Sequence, residues 1–369
     1  MTVVGVIGGG QLARMMIPAA INLGLDVAVF AEAADSSARL AARVVGDYRD
    51  VDQLRRFADG VDVVTFDHEH VPLEHLVALR DHGVSVYPPP EALRLTHDKT
   101  VMRLALQEHS LPQPRFAVVD AVDEDALESV GGFPAVAKLP VGGYDGKGVR
   151  VINSWAECED WLAAGPLLLE EFIPFRRELA QLSARRPGGQ WSAWAPVETR
   201  QVGGVCAEVL SPAPGLDEAS AERAQGIART IADAFGVVGV LAVELFEAPG
   251  GELLVNELAM RPHNSGHVFT EQSVTSQFEQ HLRAVSDIPL GSTDYRDAAG
   301  VMVNIFGHAP TDAFRKIAGD FPTVKFHSYQ KSSRPGRKAG HLVVTGESLD
   351  VSVEVARLAK AALDQGVTG

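Results

Sequence analysis

Short apolar runs alternate with segments whose apolar residues recur every three to four positions from the start of the chain to Val86. Val3–Ile7, Leu25–Ala31, Val61–Phe66 and Val84–Val86 carry the density of Val, Ile and Phe that predicts buried strands. Gln11–Leu23 and Leu73–Asp81 have the spacing of amphipathic helices. This alternation predicts a parallel sheet covered on both faces. The run Pro88-Pro89-Pro90 interrupts it and marks a boundary. A helix over Asp98–His109 then opens a smaller α/β unit with strands at Ala135–Leu139, Gly148–Ile152 and Leu167–Glu170 and a helix at Ser154–Ala163. Beyond it, Glu178–Ala184, Trp191–Val197 and Val202–Val209 read as antiparallel strands. A long helix over Asp217–Phe235, strands at Gly239–Phe246 and Glu252–Leu258, a helix over Ser273–Ser286 and a small tail unit complete the chain. No internal repeat or low-complexity segment is visible.

Length and composition narrow the class. A chain of 369 residues suits two or three packed units rather than one core. No apolar run is long enough to cross a bilayer, and the N-terminus lacks the basic stretch and cleavage site of an export signal. The two cysteines, Cys158 and Cys206, lie far apart without CxxC spacing. A disulfide framework is therefore not expected, and a reducing cytoplasm is. The net charge of −15 argues against a nucleic-acid or anionic-membrane surface, and directs attention to the few places where bases cluster.

Gly8-Gly9-Gly10-Gln11-Leu12-Ala13 joins the first strand to the first helix and matches GxGxxA. Such a turn lets a phosphate or ribose approach N–H groups at a helix start, and Glu32 stands near the position of a ribose-binding acid. An NAD-dependent dehydrogenase is thus a rival reading, and a purely structural tight turn is the plain one. Lys138–Val149 is a glycine-rich loop between two strands but no Walker A motif, since Gly148 stands where a metal-binding Ser or Thr belongs. Its backbone amides with Lys138 and Lys147 suit a loop that closes over a triphosphate. Against this stands a solvated hairpin tip.

Two apolar strands flank Ala248-Pro249-Gly250-Gly251, a hairpin signal. A two-residue turn at Gly250-Gly251 sets Glu244 opposite Glu257. A four-residue loop keeps them on one face, whereas a three-residue loop separates them. Facing carboxylates in apolar strands are destabilising unless a cation lies between them, and hard oxygens suit Mg²⁺ carrying nucleotide phosphates. The plain alternative leaves one glutamate facing solvent or an arginine. Arg261-Pro262-His263-Asn264-Ser265-Gly266-His267 follows at once, offering donors for an anionic intermediate. Near the end, Lys331, Arg334, Arg337 and Lys338 cluster without the aromatic interleaving of a nucleic-acid surface. One phosphate monoester fits them better.

Taken in order, GGGQLARM (from Gly8), DHEHV (Asp67–Val71), KLPVGGYDGKG (from Lys138), VELF (from Val243), NELAMRPHNSGH (from Asn256) and RPGRKAGH (to His341) resemble the N5-carboxyaminoimidazole ribonucleotide synthetases. The resemblance spans Gly8 to His341. It departs from the family pattern at Lys99, Lys147, Asp67 and Met260, the first three with charge kept. It implies an α/β ATP-grasp fold: an N-terminal Rossmann-like domain (1–97), a small lid (98–172) and a larger α+β domain with the tail unit (173–369). It implies that ATP activates bicarbonate as carboxyphosphate and that the exocyclic amine of 5-aminoimidazole ribonucleotide is carboxylated, with release of ADP and phosphate.

Carried over by position, Lys99, Lys138 and the loop Gly143, Tyr144, Asp145, Gly146, Lys147, Gly148 and Val149 are expected at the ATP phosphates. Glu170, Glu171, Phe172, Ile173 and Glu178 are expected at adenine and ribose, with Glu198, Gln201, Asn256 and Glu257 as further nucleotide contacts. Tyr144, Asp145, Lys147, Arg261 and His263 are expected around carboxyphosphate. Gln11, Leu12, Glu69, Asn264, Ser265, Lys331, Arg334 and Arg337 are expected at the ribonucleotide, and Glu244 and Glu257 at two Mg²⁺ ions. The resemblance also implies a cytoplasmic homodimer acting on small molecules, with neither nucleic acid nor membrane as partner. Within the same superfamily, a formate-dependent glycinamide ribonucleotide transformylase is the runner-up.

Overall fold

The computed structural model of the protein describes residues 1–143, 148–307 and 311–367. Three sheets organise it. A five-stranded parallel sheet runs in the order Ala42–Val45, Asp26–Ala31, Val3–Ile7, Val63–Phe66, Ser85–Val86. A four-stranded antiparallel sheet is ordered Phe116–Val119, Leu167–Glu171, Ala135–Lys138, Val149–Ile152. The third, nine-stranded sheet covers Arg177 to Gly346 and takes the C-terminal strands Ala299–Gly307, Lys325–Ser328 and Arg334–Gly346 into its edge. Helix Leu349–Val367 packs over that edge, burying Ala356, Ala359 and Leu363.

Local chemistry explains most element ends. Gly24 closes helix Gln11–Leu23 in the left-handed conformation, and Asp98, Asp217 and Ser276 accept backbone N–H groups at the starts of their helices. Where the pattern misled, a specific residue is responsible. Pro90, expected to mark an interruption, is the first residue of helix Pro90–His97, where its missing N–H costs nothing. Pro196 divides the strand expected at Trp191–Val197 into Trp191–Ala193 and Val197–Val202. Gly203 and Gly204, with φ of 59° and 77°, form the tight turn to Val205–Ser211, so Val202 pairs with Val205 rather than starting the next strand. The helix expected at Ser154–Ala163 is a 3₁₀ turn, Trp155–Cys158, followed by the short helix Glu159–Leu162.

The N-terminal unit is locked to the large sheet. Leu12, Met16 and Ala20 of the first helix pack against Phe278, Leu282 and Val285 of helix Gln277–Val285. Buried His281 accepts from the N–H of Val240 (3.0 Å) at Nδ1, so its Nε2–H faces the Thr65 hydroxyl at 2.8 Å. The lid sheet has its own core around Leu127, Ala137, Ile152 and Leu169. Its other face looks onto the large sheet across a cleft.

Candidate active site

The hairpin that carries Glu244 and Glu257 closes through three residues, Pro249–Gly251, since Ala248 donates to the carbonyl of Glu252 (2.9 Å). That is the loop length expected to separate the carboxylates. Near the turn the register is indeed displaced, with Glu247 opposite Leu253 and Leu245 opposite Val255. A bulge at Asn256 then restores the pairing, and Glu244 lies opposite Glu257. Asn256 and Glu257 both turn to the cleft while Val255 and Leu258 stay in the core.

Two chambers flank this hairpin. One, of about 320 Å³, lies between the lid and the large sheet, with Val136, Val149, Val151, Phe172, Ile173 and Phe246 supplying an apolar lining. The other, of about 1180 Å³, lies between the N-terminal unit and the tail and is lined by Gln11, Leu12, Glu69, Lys331 and Arg337. Lys99, Glu244, Glu257, His263, Asn264 and Lys338 line both, so the chambers meet at these six side chains.

Electrostatics at the meeting point are tightly arranged. Lys99 Nζ sits 3.2 Å from a Glu257 oxygen and donates to the carbonyl of Gly143 (3.0 Å), the last described residue before the glycine-rich tip. His263 Nδ1 receives the hydroxyl (2.8 Å) and the N–H of Ser265, so its Nε2–H points at Glu244, 3.2 Å away. Burial would raise the Glu244 carboxyl, but the hydrogen bond from His263, with the charges of Lys338 and Arg261, brings it below the usual range. Arg261 donates to Glu69 at 2.8 Å. Glu178 differs: burial first, then the neighbouring Glu244 carboxylate, push it up to about 7.

The donor set suits Mg²⁺. Among the described residues no group of three or more His, Cys, Asp or Glu side chains forms a preformed cage. Two facing carboxylates are what a hard, strongly hydrated ion needs when phosphate oxygens and water complete its shell.

Several expected contacts are committed elsewhere. Glu170 is buried between Arg103 Nε (2.7 Å) and Lys138 Nζ (2.8 Å). Burial opposes its ionisation, yet those two cations hold it at about 2. It lines the smaller chamber, but its carboxylate is committed to Arg103 and Lys138, so that it positions Lys138. Glu198 lies on the face of its strand opposite Thr199 and Gln201, which line the cleft, and receives Arg177 (3.3 Å) and Arg200 (2.8 Å). Ser265 is fully buried and serves to orient His263. Glu171 lines the cleft while paired with Arg115 at 2.9 Å. Arg334 is exposed and outside the chamber lining, whereas Lys331 reaches Gln11. Gly148, at φ 73°, and Val149 stand at the loop's far root. Tyr144, Asp145, Gly146 and Lys147 lie outside the described residues.

The GxGxxA turn binds carboxylates of its own protein. Glu32 accepts from the Gly9 N–H (2.9 Å) and pairs with His68 (2.9 Å), and burial notwithstanding these bonds hold it at about 2. Asp67 accepts from the Ala13 N–H (2.8 Å), and a Cβ on Gly10 would fall 1.9 Å from its Oδ2. The turn is thus occupied by acids that repel a pyrophosphate, and the dinucleotide reading of Glu32 is corrected. Sequence reasoning missed Arg103 altogether. Its one signal is a cation at a stripe position of an amphipathic helix, beside Met102 and Leu106.

Comparison with known proteins matches three family models: the ribonucleotide synthetase preATP-grasp domain over residues 1–97, the ATP-grasp domain over 104–278, and the phosphoribosylaminoimidazole carboxylase C-terminal domain over 300–354. The N5-carboxyaminoimidazole ribonucleotide synthase of Mycobacterium tuberculosis is 46% identical over 377 residues, covering 98% of this chain and 88% of that protein. The synthetase structure from Thermus thermophilus superposes with a TM-score of 0.88 at 36% identity, covering 98% of both chains. That of the Aspergillus clavatus enzyme, in complex with ADP and 5-aminoimidazole ribonucleotide, gives a TM-score of 0.88 at 30% identity and covers 99% of both.

Proposed function

The chain belongs to the N5-carboxyaminoimidazole ribonucleotide synthase family of ATP-grasp ligases, and we propose that its two chambers carry out that family's reaction, with ATP under the lid and 5-aminoimidazole ribonucleotide between the N-terminal unit and the tail. It is an ATP-dependent ligase that carboxylates the exocyclic amine of the ribonucleotide, a step of purine biosynthesis. The observation that carries the site assignment is the junction: facing carboxylates, two lysines, a histidine and an asparagine where the two chambers meet.

In this reading a bicarbonate oxygen attacks the γ-phosphorus of ATP at the junction, ADP leaves, and carboxyphosphate results. The amine then attacks carboxyphosphate, or CO₂ released from it, and the N–C bond forms. Phosphate departs and the amine proton goes to it or to solvent. Lys99 and Lys338 supply positive charge where the phosphoryl group transfers. His263, fixed by Ser265, orients Glu244. Glu244 and Glu257 would hold Mg²⁺, which neutralises phosphate charge when bound. Val136, Val151 and Ile173 fit an adenine, and Glu178 and Gln201 offer polar contacts to its ribose. Lys331 and Arg337 suit the ribonucleotide's phosphate monoester.

Phosphate release should require ATP and Mg²⁺ and rise strongly when bicarbonate and 5-aminoimidazole ribonucleotide are both present. Stimulation by formate with glycinamide ribonucleotide instead would place the chain with the transformylases. The resemblance also supports a homodimer, to be tested by light scattering. A cytoplasmic site of action fits the free thiols of Cys158 and Cys206. Among the described residues no helix is long and apolar enough to cross a membrane.

A further inference from the structure

Arg103, on helix Lys99–Glu108, is fully buried, so it touches neither chamber. Its guanidinium nonetheless reaches three groups that shape the junction. Nη1 donates to the carbonyl of Val255 (2.7 Å), Nη2 to the carbonyl of Asn256 (3.0 Å), and Nε to Glu170 (2.7 Å). The first carbonyl belongs to the last residue in regular register, Val255 opposite Leu245, and the second to Asn256, which the ladder skips.

The consequence follows from strand alternation. In a continuous strand Glu257 would share the core face of Leu253 and Val255, and Asn256 would stand opposite Glu244. The extra residue turns Glu257 out to the cleft. A bulge leaves backbone groups without ladder partners, and a planar fork with several fixed donors can satisfy two consecutive carbonyls at once. Lysine has no such geometry. A fully buried guanidinium is costly to hold unless its donors are met, and the bulge and Glu170 meet them. Glu170 in turn holds Lys138, whose ammonium donates to the Asn256 side chain (3.2 Å), closing a ring around the bulge.

We propose that Arg103 is a positioning residue for the carboxylation reaction: it clamps the Val255–Asn256 bulge so that Glu257 faces Glu244, and ties the lid's Lys138 to the same point through Glu170. This rests on the reading that Glu244 and Glu257 hold the metal. The test is the factor by which Mg²⁺ tightens ADP binding, measured by calorimetry with and without the ion in the full chain. Arg103→Lys keeps a charge beside Glu170 but cannot span both carbonyls, and should reduce that factor tenfold or more while metal-free ADP affinity stays within threefold. Glu257→Gln is the comparison and should lose the factor as well. If Arg103→Lys keeps the factor while Glu257→Gln loses it, the clamp is wrong and the metal reading stands. If both keep it, the metal reading fails and the clamp with it. Equal weakening of ADP with and without metal would reduce Arg103 to a general structural role and overturn the proposal. Should Arg103→Lys not fold, the charge-balanced pair Arg103→Met with Glu170→Gln is read by the Mg²⁺ factor alone, because Glu170 also positions Lys138: loss of the factor supports the clamp and its retention overturns it.

Discussion

The imidazoles of His267 and His341 lie parallel in the protein interior, their centroids 4.4 Å apart and their planes 3° from each other. Each is the last residue of a motif, HNSGH and RPGRKAGH, and the stack is where those distant segments meet. His327 extends it on the far side of His341 at 4.5 Å, and Phe278 closes the other end against His267 at 5.6 Å. Burial first, then the neighbouring histidines, hold both inner rings well below the usual imidazole range, so both are neutral at pH 7. Gln277 links the stack to the junction: its amide contacts His267 Nδ1 (3.4 Å) and exchanges hydrogen bonds with the backbone of His263 (2.8 Å each).

Tyr329 anchors this stack, its hydroxyl lying 2.7 Å from His341 Nδ1. Tyr329→Phe removes that oxygen and leaves a buried ring nitrogen without a partner. Unfolding in urea should show a loss of about 1–3 kcal/mol. An unchanged midpoint would mean that the stack is held by shape alone.

Glu244→Gln and Glu257→Gln each remove a charged oxygen ligand with almost no change in volume. Turnover should fall by about 100-fold or more, on the order of 3 kcal/mol in barrier. The thermal midpoint should move by less than about 3 °C, because each substitution also relieves repulsion between the facing pair. Near-normal turnover with a large drop in stability would identify the pair as structural.

Glu178 provides a pH signature. Its carboxyl, at about 7 in the folded chain against 4.5 ordinarily, keeps a proton that the unfolded chain gives up between those values. Its contribution to stability is therefore present below 4.5 and declines as pH rises through about 7. An ionised carboxylate accepts from ribose hydroxyls more strongly than the protonated acid does, so ADP affinity should increase from about pH 6 to about pH 8 and then level. Glu178→Gln should flatten that profile. A step that persists in the variant would assign the titration to another group.

The tail should discriminate between its own arginines. Arg337 lines the larger chamber and Arg334 does not. Arg337→Ala should raise the Michaelis constant for 5-aminoimidazole ribonucleotide roughly ten- to a hundredfold, as loss of one charge-assisted contact implies, with that for ATP nearly unchanged. Arg334→Ala should alter neither by more than about threefold. Parallel weakening of ATP by Arg337→Ala would show that the tail does not hold the monoester.

Much of the protein was legible from local pattern. Apolar runs and helical spacing located four of the five strands of the N-terminal sheet, three of the four lid strands and the Glu244–Glu257 hairpin, because period and turn chemistry are properties of neighbours in sequence; the short strands Ala42–Val45 and Phe116–Val119 and helix Val51–Ala58 were missed. Motif order carried the family, since each motif is a compact set of donors whose chemistry survives without knowledge of its surroundings. What tertiary structure alone decided is which polar groups remain free. Glu32, Glu170 and Glu198 carry the same carboxylate as Glu178, yet their partners His68, Arg103, Lys138, Arg177 and Arg200 arrive from other elements or positions and commit them to the protein itself. The hairpin shows the same division. Its turn is local, and by itself would have separated Glu244 from Glu257. One extra residue, held by an arginine from a helix more than a hundred positions earlier, returns them to the same face, because backbone carbonyls that leave a ladder must find donors wherever the fold brings them.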